Sequence, residues 1–135
     1  MLDKVIAALE AKKQQQAVSV ERFVREQRIL DGLAPRVWRE LREALKAGCT
    51  KHPDYLTFTV QRESYVCVRC ANRRVLEVEF LDEARTIAFQ CGDASGEYVI
   101  GLDETNRAAI FDGDGKTFPS PAYLADELLT LVVCK

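Results

Sequence analysis

The chain has 135 residues, 47% of them apolar and 30% charged, with a net charge of −2. These values suit one globular domain over residues 1–135 that buries roughly two-thirds of its unfolded surface, and they exclude a disordered chain. No run approaches the roughly 18 apolar residues of a membrane span. The opening Met1-Leu2-Asp3-Lys4-Val5 scatters charges among apolar residues, unlike a secretory signal. An odd cysteine count of five, with no export signal, points to reduced thiols in the cytoplasm.

Residues 1–48 read as helical. Leu2, Val5, Ile6 and Leu9 recur at helical spacing, and so do Val20, Phe23 and Val24. Between them Lys12-Lys13-Gln14-Gln15-Gln16 is polar but made of helix formers, so residues 1–30 are one helix or two. Ser19 is a candidate cap for a helix opening at Val20. Asp31-Gly32 supplies a stop, and Pro35 suits the first turn of a further helix whose stripe is Val37, Trp38, Leu41 and Leu45. Arg36/Glu40 and Arg39/Glu43 stand four apart on its exposed side, close enough to pair. Gly48 is the expected terminator.

After His52-Pro53 the period becomes two. Residues 53–112 alternate as Leu56-x-Phe58-x-Val60, then Val66, Val68 and Cys70, then Leu76, Val78 and Phe80 against outward Glu77 and Glu79. Ile87, Phe89 and Cys91 follow. Gly92-Asp93-Ala94-Ser95-Gly96 has loop composition, and Tyr98, Ile100, Leu102 and then Ala108 to Phe111 complete the set. Connections this short require antiparallel neighbours. Residues 121–133 form a last helix buried through Leu124, Leu128, Leu131 and Val132. The fold expected is α+β: N-terminal helices, a roughly six-stranded antiparallel meander, and a C-terminal helix packed on one face.

One constellation has metal-like spacing: Cys49-x-x-His52 followed by Cys67-x-x-Cys70, which resembles the ligand pairs of ribbon-type zinc sites. An extended Cys67-Val68-Arg69-Cys70 would send its two thiols to opposite faces, ~10 Å apart. Cys91 and Cys134 also occupy apolar-patterned positions, so core packing is the preferred account of the thiols and no cofactor is expected. A redox dithiol at Cys67/Cys70, with Arg69, Arg73 and Arg74 nearby, lacks the strand-to-helix junction such pairs use.

Asp112-Gly113-Asp114-Gly115-Lys116-Thr117 lacks the upstream glycine of a phosphate loop and has Lys116 where a calcium loop needs oxygen, so it reads as a turn. Residues 1–51 carry eleven Lys/Arg against seven Asp/Glu, and the rest carry eight against fourteen. The basic residues Arg36, Arg39, Arg42 and Lys46 are interrupted by Glu40 and Glu43, which disfavours nucleic acid. The single histidine, His52, restricts nucleophilic catalysis to a pairing with Cys49, and no oxyanion motif accompanies it. The sequence therefore supports no catalytic residue. It suggests a cytoplasmic interaction or regulatory protein that binds a protein partner or itself through residues 2–30, with a zinc-supported domain and an enzyme of unidentified class as alternatives.

Overall fold

Fifty consecutive residues form one helix, α1 (Leu2–Lys51), in a computed structural model that describes residues 1–134. The expected stop at Asp31-Gly32 does not occur, and Pro35 lies in the helix interior instead of opening a new helix. Proline there removes a backbone donor and crowds the carbonyl of Asp31, at a cost of about 3 kcal/mol. Burial offsets it, because the buried stripe begins at the same place: Leu30, Ala34, Val37, Trp38, Leu41, Leu45 and Cys49. Each large side chain among them contributes roughly 1.5–3 kcal/mol. Outside the helix, Arg85 Nε and Nη2 both reach Asp31 Oδ1 at 2.9 Å and tie the proline turn to the sheet. Ser19 caps nothing, since its hydroxyl donates to the Gln15 carbonyl at 3.0 Å in mid-helix.

Gly48 is not the terminator either. The helix passes through it, and a Cβ at this position would overlap Leu129 Cδ1 of the C-terminal helix. Glycine is needed here for close helix crossing, and the left-handed conformation expected of a terminator does not arise. The chain leaves α1 at His52, whose N–H donates to the Cys49 carbonyl at 3.2 Å.

Seven strands follow in sequential order, all antiparallel: β1 (Leu56–Arg62), β2 (Tyr65–Cys70), β3 (Val75–Leu81), β4 (Thr86–Cys91), β5 (Ala94–Leu102), β6 (Ala108–Phe111) and β7 (Thr117–Phe118). The added strand is β7, whose two residues are too few to show an alternating pattern. Residues 94–96 belong to β5 and not to a loop. Only Gly92 and Asp93 turn the chain between paired Cys91 and Ala94, with Gly92 at φ +60. Gly96 pairs with Phe89, whose ring occupies the space a Cβ would need. The β1–β2 ladder shifts register between Val60 and Arg62. Val60 pairs with Val66 and so lies on the same face as Leu56 and Phe58, but it is exposed near the end of β1.

The inner face of the sheet, including Val66, Val68, Leu76, Val78, Ile87 and Ile100, is buried under residues 30–49 of α1 and under α2 (Pro121–Cys134). Leu124, Leu128 and Val132 are the buried side of α2. Ser120 Oγ accepts from the Tyr123 N–H at 3.2 Å at its start, and Asn72 Nδ2 donates to the Val132 carbonyl at 3.1 Å near its end. Trp38 fastens α1 to the sheet: its ring stacks on Phe80 at 5.8 Å, and Nε1 donates to the Glu63 carbonyl at 2.9 Å. Arg42 Nη1 reaches the same carbonyl at 3.1 Å. Arg36/Glu40 and Arg39/Glu43 form no ion pair among the described residues; Arg39 Nε instead turns back to the Pro35 carbonyl. Exposed pairs of long side chains gain too little to fix one geometry.

Trp38→Ala is expected to lower unfolding stability by about 3–5 kcal/mol in urea titration, through lost volume and loss of one donor to the Glu63 carbonyl. Gly48→Leu should cost about 1–3 kcal/mol by driving α1 from α2. Gly48→Ala should cost less, because helix propensity gains about 1 kcal/mol while Leu129 rotates aside. Thermal melts of the pair test that order.

Candidate functional site

The folded body uses only the second part of α1. Residues 2–29 project from it as an arm, and none of their side chains is buried. Leu2, Ile6, Leu9, Val20 and Phe23 are large apolar groups in this arm, and Phe23 is 61% exposed. The residues between them, from Lys12 to Gln16, continue the helix, so the two apolar sets belong to one rod. At 1.5 Å per residue that rod is about 42 Å long. Its ion pair Arg22–Glu26, at 3.3 Å, is internal and exposed. An isolated helix of this composition is marginal in water, since helices draw most of their stability from a packed face.

The four residues of the metal-like pattern lie in different surroundings. Cys49 is buried on the core-facing side of α1, while His52 is exposed at the helix end. Cys67 and Cys70 stand on opposite faces of β2, as an extended strand requires. Cys70 packs against the inner core, whereas Cys67 lies on the outer face, opposite Thr59 and Glu77. No three His, Cys, Asp or Glu side chains converge as a metal site among the described residues. Cys91 is buried in the core, and the side chain of Cys134 lies outside the described ones. Burial pushes the Cys49 thiol up to about 11, which keeps it protonated and poorly nucleophilic at neutral pH.

The outer sheet face carries a shallow depression of about 700 Å³ around Tyr65, Cys67, Arg69, Glu77 and Glu79. The Tyr65 phenol is held above its ordinary range, first by its interaction with the Glu77 carboxylate and then by desolvation. Glu77 and Glu79 point outward on this face, and a carboxylate there lacks the enclosure a general acid needs. A second cleft, about 430 Å³, runs between the end of α1 and α2 past His52, Tyr55, Asp126 and Thr130. At the β6–β7 turn, Asp112 Oδ1 accepts the N–H groups of Asp114 and Lys116 at 2.9 and 2.8 Å, and Gly115 has φ +82. That carboxylate is occupied by its own loop.

The arm's reach was the feature least visible in the sequence. Its apolar residues resemble those of any amphipathic helix, and only the tertiary structure separates the covered part from the bare one. No described helix is long and apolar enough to cross a membrane. Comparison with known proteins gives no relative: no family model, curated protein or solved structure matches the chain.

In the native protein at pH 8, about a thousandth of Cys49 should be thiolate, so iodoacetamide should modify it at least about 100-fold more slowly than in urea. The raised value also sets a sign for stability. The contribution from keeping this thiol neutral is complete below about pH 9 and is lost as pH rises toward 11. Cys49→Ala should therefore flatten part of the alkaline loss of stability, measured by denaturant titration across that window.

Proposed function

We propose that this chain is a non-catalytic interaction or regulatory protein of the cell interior whose docking element is the projecting arm of α1, residues 2–29. One observation carries the reading: the arm bears large apolar side chains on a helix that nothing among the described residues covers. Soluble domains seldom leave such a stripe bare, and larger exposed apolar patches mark binding surfaces. An amphipathic helix offered outside a finished core suits helix-on-helix or helix-in-groove recognition, in which anchors three and four residues apart enter a partner's surface. The body's role in this reading is to present the arm, through Trp38 and the Arg85–Asp31 pair, at a fixed angle.

The doubly charged variant Leu9→Glu/Phe23→Glu tests this. Because both side chains are exposed, unfolding of the body should change by no more than about 0.5 kcal/mol. Association, followed by hydrodynamic size and by proteins retained from an extract of the source cells, should fall sharply. A variant that matches the parent in both size and retained partners would sink the proposal.

A further inference from the structure

The arm's side chains follow a seven-residue repeat. Steps of four and three alternate from Leu2 through Ile6, Leu9, Lys13, Gln16 and Val20 to Phe23 and Gln27. The same steps run on into Leu30, Ala34, Val37 and Leu41, which are already buried within the body. The bare stripe and the covered stripe are therefore one seam, and its first part lacks a partner. A strict seven-residue repeat drifts about 20° per heptad on a straight helix, so only a supercoiled pair keeps it aligned.

Resting on the docking reading above, we infer that the occupant is a second copy of this chain, paired antiparallel through residues 2–27. The order of residues along the seam selects this arrangement. Apolar Leu2, Ile6 and Leu9 precede a polar centre, Lys13 and Gln16, and apolar Val20 and Phe23 follow it. Reversed on itself, that order sets Ile6 against Phe23 of the second copy, Leu9 against Val20, and Lys13 against Gln16. The two-fold axis repeats each contact. Lys13 then donates to a Gln16 carboxamide, and the apolar layers meet apolar layers on both sides.

A parallel pair fares worse on two counts. Lys13 would face Lys13 of the second copy in one core layer, and Glu26 would face Asp31 across the flank, both like-charged. Both sheets would also begin at the same level on the shared seam, since each body takes over its own stripe from Leu30, and they would wedge the helices apart. In the antiparallel pair the bodies sit at opposite ends. Leu2 of the second copy lies opposite Gln27, one turn short of the point where the first copy's own body covers the seam.

Surface area agrees. Leu2, Ile6, Leu9, Val20, Phe23 and Val24 are between 42% and 72% exposed in one copy. Burying them twice, with the stems of flanking polar residues, removes on the order of 1,000 Å², the threshold for a stable interface.

Sedimentation equilibrium from about 5 to 500 µM should show a monomer–dimer equilibrium. Lys13→Cys and Gln16→Cys proteins, mixed in equal amounts and mildly oxidised, should yield the mixed disulfide at least about tenfold over either homodisulfide. Wild-type protein with its native cysteines serves as the oxidation blank. Both substituted positions are exposed, so circular dichroism should match the parent. A dimer in which Lys13→Cys cross-links chiefly to itself would overturn the antiparallel pairing and leave the docking arm standing. A monomer at every concentration would overturn the second-copy partner, and the Leu9→Glu/Phe23→Glu comparison then decides the docking reading independently.

Discussion

A seven-stranded meander has one apolar face and nothing within the sheet to cover it, and residues 30–49 of α1 supply most of that cover. The rest of the structure depends on this contact. Trp38 fixes the helix by stacking on Phe80 and donating to the Glu63 carbonyl at the β1–β2 turn. With α1 set, Gly48 lets α2 cross closely, and Asn72 holds the far end of α2 against the β2–β3 turn. The covered stripe also stabilises an interior proline that would otherwise end the helix.

Period was the most legible feature of the sequence. Alternation in Leu76–Phe80 and Ile87–Cys91 located strands and their inner faces, because a strand half in the core must alternate. The stripe Val37, Trp38, Leu41 and Leu45 located the part of α1 that packs, and all four are buried. Punctuation was misleading. Asp31-Gly32, Pro35 and Gly48 have strong local preferences for helix ends, yet each sits inside α1, where tertiary burial outweighs a local preference of about 1–3 kcal/mol. The start of β5 escaped notice for a different reason, since a glycine-containing tight hairpin has the composition of a loop, and β7 is too short to show a period.

For the site, spacing was a weaker guide than geometry. Cys49, His52, Cys67 and Cys70 have the intervals of a ligand set, but an interval carries meaning only with its local conformation. Along β2 a three-residue step reverses the side chain, so Cys67 and Cys70 stand on opposite faces. The arm presents the converse case. Its apolar residues were evident, and the sequence suggested partner binding through them, but their exposure depends on where the body stops. That boundary, near Leu30, is set by contacts with residues more than fifty positions away, such as Arg85 with Asp31.

The two rims of the sheet are unlike its centre. Strand β1 carries a register shift near one end and β7 is only two residues long, and both features shorten the row of free amide and carbonyl groups at a rim. A meander is otherwise an open-ended ribbon, ready to accept one more strand from a neighbouring molecule. With both rims blunted, lengthening of the ribbon into a fibre is discouraged, and contact between molecules is diverted from backbone pairing to side-chain recognition. Shape and charge along a helix discriminate between neighbours far better than a bare ladder of amides does.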